Sequence, residues 1–323
     1  MTSKFDKFSL CQYFRAFVIG FALLLLMAPV AHADYVYVSN TGAGTITRID
    51  TTDASESIFA SGLDEPEGLA FDSAGNLYVA DSGDGIISEI NSAGSVSTFA
   101  SGLNSPAGLT FDPSGNLYVA NTGNNTISKV NSSGSVSVFA TGMQSFPYNG
   151  AFLAADSAGN IYANASWSLE TFDPNGNLIA VSYPYENVGA FAIDGAGHIY
   201  IYLENRGGIS GNGGLQTDVS DFPAPYNNEY LYFLEGTFSD LAFDGNGNLY
   251  ATGRLPYLDS NGNIVLNMVL IEFGVNGDNS IVTADITGGG YFAVQSVPEP
   301  GMCTISVLAS VLCFRGWVKW RQS

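Results

Sequence analysis

The chain has 323 residues, 38 of them glycine, with 10 Lys and Arg against 30 Asp and Glu and a formal charge of −20. So acidic a protein has nothing with which to neutralise a phosphate backbone, which excludes nucleic acid as a partner. The 17 Tyr and 21 Phe beside so much glycine point to short strands joined by tight turns, because Gly accepts the positive φ that such turns need.

Residues 1–33 read as a signal peptide: Lys4, Lys7 and Arg15, the run FVIGFALLLLM at 17–27, then Ala31 and Ala33 flanking His32 as a small-x-small site for signal peptidase. Cys11 falls in this piece, and Cys303 and Cys313 fall in the last apolar run. The region between has no cysteine, hence no disulfide and no thiolate metal site.

From Gly62 the sequence repeats. GLDEPEGLAFDSAGNLYVADSGDGIISEINSAGSVSTFAS is followed, 40 residues on, by GLNSPAGLTFDPSGNLYVANTGNNTISKVNSSGSVSVFAT. Weaker copies carry their aspartates at Asp156, Asp194 and Asp244, after Asp72 and Asp112. Each clear unit predicts four short strands, in the second copy Gly108–Phe111, Leu117–Ala120, Thr126–Val130 and Ser135–Ala140. NLYVA is apolar on both faces and suits a strand buried between sheets, whereas Ser135–Val138 alternates and suits an outer strand wet on one face. Asp112-Pro113-Ser114-Gly115-Asn116 is a turn, with Asp accepting from turn amides and Gly in the left-handed position.

A four-stranded antiparallel sheet recurring at about 40 residues is the unit of a β-propeller. The expected fold is therefore all-β, with one propeller over 34–296. Tyr35–Asn40 matches NLYVAN with no inner strand before it, and Gly290–Val294 resembles a lone inner strand. The second completes the blade begun by the first, giving six blades in a closed ring, with seven as the alternative. Residues 204–229 form an inserted loop rich in Gly, Asn and Pro, and Arg254–Asn263 a smaller excursion.

Through Pro66-x-Gly68-Leu69-x-Phe71-Asp72-x-x-Gly75-Asn76-Leu77-Tyr78-Val79-Ala80-Asp81 and its counterpart at Pro106–Asn121, the chain resembles the NHL-repeat propellers. That resemblance implies either a binding module or a lyase-like or lactonase-like enzyme. The lyase-like branch relies on channel histidines, and past residue 33 there is only His198, standing where Asn occupies the GNLY turn. The lactonase-like branch implies calcium held by channel oxygens, and Asn40, Asp81 and Asn121, with Glu204 as a fourth, are the equivalents. The sequence favours a non-enzymatic binding or scaffold module for a protein or glycan; the alternative is a calcium-dependent hydrolase or lyase acting at the central channel.

The end of the chain, Val297 to Ser323, resembles the PEP-CTERM sorting signal: Pro298-Glu299-Pro300, an apolar run, then Arg315, Lys319 and Arg321. The resemblance implies cutting by an exosortase-like enzyme. It also implies transient anchoring of the run as a transmembrane helix in the inner membrane with the propeller outside, then transfer to the cell surface or an exopolysaccharide matrix.

Overall fold

Apolar pentapeptides too short for helices, set between Gly-Asn turns, can bury themselves only as strands of stacked sheets. The computed structural model describes residues 35–146, 150–165, 168–182, 187–194, 196–204, 215–216, 237–244, 247–258, 264–273, 279–284 and 291–295. The cleavage residues Ala31 and Ala33, the motif Pro298-Glu299-Pro300, the flank Arg315, Lys319 and Arg321, and most of the 204–229 insert lie outside the described residues.

The described residues form six antiparallel sheets. The first is β1 (Tyr35–Asn40), β2 (Thr45–Asp50) and β3 (Glu56–Ser61). The second is β4 (Pro66–Phe71), β5 (Leu77–Asp81), β6 (Ile86–Ile90) and β7 (Val96–Ser101). The third is β8 (Pro106–Phe111), β9 (Leu117–Asn121), β10 (Thr126–Val130) and β11 (Val136–Ala140), and the fourth β12 (Leu153–Ala155), β13 (Ile161–Ala165), β14 (Ser168–Phe172) and β15 (Leu178–Ser182). The fifth has three strands among the described residues, β16 (Asn187–Ile193), β17 (Ile199–Glu204) and β18 (Leu215–Gln216). The sixth is β19 (Thr237–Phe243), β20 (Leu249–Leu258), β21 (Ile264–Phe273) and β22 (Asn279–Ala284). The last strand, β23 (Phe292–Gln295), pairs antiparallel with β1, Phe292 opposite Val38 and Gln295 opposite Tyr35. Innermost strands touch in the order β23, β4, β8, β12, β16, β19 and back to β23. This is an all-β fold of mostly four-stranded sheets resembling propeller blades.

The turn aspartates work as their spacing predicts. Asp112 Oδ1 accepts from the Ser114 and Asn116 amides, both at 2.9 Å, and Oδ2 from Asn116 Nδ2 at 2.8 Å and the Tyr118 hydroxyl at 3.2 Å. Gly115 closes that turn at φ +80°, where a side chain would be strained. Asp72 and Asp156 repeat the pattern. At Asp194 the ring Nδ1 of His198 takes the place of the Asn amide at 2.8 Å, so His198 is a turn residue.

Strands β5, β9 and β13 are buried along their whole length, and each apolar side chain of Val or Leu size so enclosed contributes about 1.5–3 kcal/mol. Adjacent inner strands come so close that a Cβ on Gly68 would lie 2.1 Å from the Ala107 carbonyl oxygen, and one on Gly108 2.1 Å from that of Ala151. Glycine at these two positions is a packing requirement.

Three expectations change. The outer strands do not alternate: Val136 to Val138 are all exposed, Val138 at 69%, because sheets that diverge outward leave both faces of the last strand in water. Of the excursion at 254–263, residues 254–258 belong to the sheet, β20 pairing with β21 as far as Leu258 opposite Ile264, and 259–263 lie outside the described residues. The anchor is also corrected: no helix among the described residues is long and apolar enough to cross a membrane, the one helical segment being the turn Thr41–Ala43. Physically, the apolar run itself reaches only about 20 Å as a helix against a bilayer core of about 30 Å, and lengthening it takes in Arg315 and Lys319. The membrane-anchored stage, and the localisation built on it, is corrected to the same extent: the run at 302–314 lies outside the described residues, and no helix among the described residues could serve as that anchor.

Candidate active site

Innermost strands leave one edge without a strand partner, so backbone N–H and C=O groups face the space that they enclose. That space is a cavity of about 340 Å³, bounded by residues at the innermost strands of all six sheets, among them Gly68, Gly108, Phe152, Phe191, Asp240 and Tyr291.

Strand register ranks these residues by level. Leu69, Leu109, Leu153, Phe191, Leu241 and Phe292 each lie opposite the equivalent residue of the second strand. One residue earlier stand Gly68, Gly108, Phe152, Ala190, Asp240 and Tyr291. Where two sheets keep glycine for close approach, the sixth carries a carboxyl and the first a phenol.

Asp240 is 7% exposed. Its Oδ1 accepts the Leu241 amide at 2.8 Å and its Oδ2 the Phe292 amide at 2.9 Å, which ties β19 to β23. Burial pushes its pKa up to about 8 against these two bonds, which favour the charged form. That direction favours the protonated, neutral carboxyl.

Tyr291 is 8% exposed. The Ser39 amide and hydroxyl fix its backbone by donating to its carbonyl at 3.0 and 3.1 Å. Its ring crosses the cavity beside Phe152, centroids 5.2 Å apart, and its hydroxyl oxygen accepts the Ala151 amide at 2.9 Å. A phenol oxygen used as acceptor keeps its own proton to donate. Burial raises its pKa, and the charges of Glu67 and Asp240 raise it further. Half-buried Glu67 precedes Gly68 in β4; burial, then the charge of Glu65, pushes its pKa up to about 7. A carboxyl titrating there suits proton transfer near neutrality.

Sequence reasoning missed all three residues. The signal was available for two of them: SDLAFD at 239–244 sets Asp240 where PEGLAFD has Gly68, and GYFAV sets Tyr291 there.

The expected metal ligands are placed otherwise. Asn40, Asp81 and Asn121 end β1, β5 and β9, and each turns into its own sheet. Asn40 Nδ2 donates to Thr47 Oγ1 at 2.8 Å, Ser88 Oγ donates to Asp81 Oδ2 at 2.5 Å, and Asn121 Nδ2 donates to Ser128 Oγ at 2.9 Å while its Oδ1 accepts the Asn104 amide at 3.2 Å. Asn40 Oδ1 and Asp81 Oδ1 are buried without a hydrogen-bond partner, while the Asp64 backbone joins Ser88 in favouring the charged Asp81 carboxylate by hydrogen bonding. Burial raises the Asp81 pKa against the Ser88 bond. Glu204 ends β17, and its side chain lies outside the described residues. Two open oxygens fall short of the six to eight that calcium takes, and among the described residues no group of three His, Cys, Asp or Glu could hold a metal.

Residues 103–130 match the NHL repeat family, and no curated protein matches the sequence. Among solved structures, a Bacteroides caccae protein of unknown function is 17% identical, with TM-score 0.56 over 81% of this chain and 98% of its own. A streptogramin B lyase is 13% identical, with TM-score 0.53 over 81% and 90%. A gluconolactonase of Xanthomonas campestris is 13% identical, with TM-score 0.53 over 82% and 90%. Identities this low establish the fold, a propeller-like one that contains an NHL repeat. The reading as a non-catalytic scaffold for a protein or glycan is corrected: the similar folds include a lyase and a lactonase, and a buried acid and phenol border the central cavity.

Proposed function

We propose that the protein is a hydrolase or lyase acting at the central cavity, on an ester, lactone or comparable polarised carbonyl compound. The observation that carries this is the buried Asp240 carboxyl bordering the same small cavity as Tyr291. In the proposed reaction Asp240 and Tyr291 donate hydrogen bonds to the carbonyl or leaving oxygen, and Glu67, titrating near pH 7, takes up the proton released by water or substrate. The Ala151 amide orients the Tyr291 hydroxyl, and the Leu241 and Phe292 amides hold the Asp240 carboxyl.

Support for a six-bladed ring closed by β23 on β1 comes from the cyclic order of inner-strand contacts, and we adopt that architecture with the function. Calcium is not adopted with this function, because the two open oxygens of Asn40 and Asp81 fall short of its ligand number; a calorimetric titration of wild type against Asp81→Ala tests this, saturable calcium binding lost in the variant being the contrary result. Exosortase-type processing at Pro298-Glu299-Pro300 and signal-peptide removal after Ala33 are further proposals, tested by the intact mass of the mature protein.

The activity is tested by assaying the purified protein against aldonolactones and a cyclic depsipeptide of the streptogramin B type. Tyr291→Phe and Glu67→Gln are each expected to lower kcat by at least about 100-fold, Glu67→Gln with an unchanged melting profile and Tyr291→Phe with a loss of about 1–3 kcal/mol for the Ala151 amide it leaves unpaired. Absence of turnover on both substrate classes, or turnover indifferent to both substitutions, would sink the assignment.

A further inference from the structure

Tyr291 is held at both ends, and one register position of the second strands serves both. That position lies opposite Ile46 in the first sheet, Ile87 in the second, Ile127 in the third and Leu169 in the fourth. The second and third sheets fill it with Ala80 and Ala120. The first has Ser39, whose amide and hydroxyl fix the Tyr291 carbonyl. The fourth has Asn164, fully buried, in the sheet whose Ala151 amide receives the Tyr291 hydroxyl oxygen.

Asn164 grips the segment that carries this amide. Its Oδ1 accepts the Phe152 amide at 2.7 Å, and its Nδ2 donates to the Gly150 carbonyl at 3.1 Å. Its backbone N–H donates to the Phe152 carbonyl at 3.3 Å. The same Nδ2 points toward the Val188 and Gly189 carbonyls of β16, both at 3.4 Å. One buried side chain thus pins the residues on either side of Ala151 and ties them to the next inner strand. Gly150 itself leaves room for the phenol: it sits at φ +134°, and a Cβ there would lie 2.8 Å from the Tyr291 hydroxyl oxygen.

We propose that Asn164 is a positioning residue of the central site. It holds Gly150 to Phe152 so that the Ala151 amide meets the Tyr291 hydroxyl and leaves the phenol proton free to donate. This rests on the reading of Tyr291 as a donor to substrate. Asn164 is not among the residues that border the cavity, so its effect runs through Tyr291. A displacement of about 1 Å is enough to cost on the order of 100-fold in rate.

The test is a double-mutant cycle in the full-length protein, read by amide hydrogen exchange and by kcat. Asn164→Ala installs the residue that the second and third sheets carry at this register. Asn164→Ser installs that of the first, and replaces the alanine variant if a thermal melt shows the latter unfolded. Exchange of the Ala151 amide should quicken about tenfold or more in the Asn164 variant, as in Tyr291→Phe, with the amides of β9 unchanged. On a lactone that the wild type turns over, kcat should fall about 10- to 100-fold at constant KM, and no further when the change is added to Tyr291→Phe. A purely structural role would lower kcat by the same factor in both backgrounds. Undiminished protection of Ala151, or losses in kcat that multiply, would overturn the proposal. Absence of wild-type turnover defeats the enzymatic reading alone, and the exchange cycle then decides. Ala151 exchanging no faster in the double mutant than in Tyr291→Phe supports the placement, and a further rise overturns it.

Discussion

Replacing Asp240 by Asn tests the central site through stability alone. The wild-type carboxyl accepts two amides, from Leu241 and Phe292. An amide side chain has one acceptor oxygen, so Asp240→Asn loses one bond and turns an N–H donor toward another, costing about 1–3 kcal/mol where the wild-type carboxyl is neutral. The pH term runs the other way. With its folded pKa raised from 3.8 to about 8, native Asp240 holds a proton that the unfolded chain releases, so wild-type stability falls as pH rises from about 4 to about 8 and levels off above. At ~1.36 kcal/mol per tenfold change in proton affinity, the ceiling on this loss is ~6 kcal/mol. Water entry and local relaxation keep the observable part below that ceiling. Asp240→Asn should therefore melt below wild type at pH 5, and the gap should close or reverse by pH 9. Thermal denaturation of both proteins at half-unit intervals is the assay, and the difference between them cancels the titration of every other group. Parallel pH profiles would refute a buried, protonated Asp240.

Gly68→Ala would drive a Cβ against a backbone carbonyl of the next sheet and should cost about 3 kcal/mol, whereas Gly42→Ala, with open space around it, should melt like wild type; equal melting points would show that the inner strands are not in tight contact. Asp112→Ala removes the acceptor of four turn bonds and should cost about 2–3 kcal/mol at pH 7. Burial alone would raise the Asp112 pKa, but bonds from Asn116, Tyr118 and Ser114 outweigh it and hold it low. That stability is lost as pH falls through the folded pKa, so urea midpoints of mutant and wild type should converge as pH falls below the ordinary carboxylate range. A chain ending at Gly290 leaves β1 without β23 and should lose cooperative melting, while one ending at Val297 should melt like the full chain; identical melts would contradict ring closure.

The four-stranded unit was legible in the sequence because it is local. Asp112, Gly115 and Asn116 make their turn within five residues, and NLYVA shows its burial by having no polar face. The 204–229 insert broke the pattern, and sequence shows only that it interrupts a blade. The exposed outer valines escaped because alternation presumes one wet face, whereas the spread between neighbouring blades wets both. Asn40, Asp81 and Asn121 were picked for their place after the second strand. That place is real, but hydroxyls on the neighbouring third strand claim their side chains.

Repetition along the chain thus determined the blade, its turns and its buried strand, since each of these rests on contacts between near neighbours. Only the tertiary structure decided the site. Tyr291 meets the Ala151 amide across 140 positions of sequence, and Asp240 the Phe292 amide across 52. Such pairs exist because the inner strands of all six sheets border one cavity. The same closeness that demands glycine at positions 68 and 108 takes Asp240 and Tyr291 out of water, and loss of water is what raises the Asp240 pKa toward neutrality and keeps the Tyr291 phenol protonated as a hydrogen-bond donor.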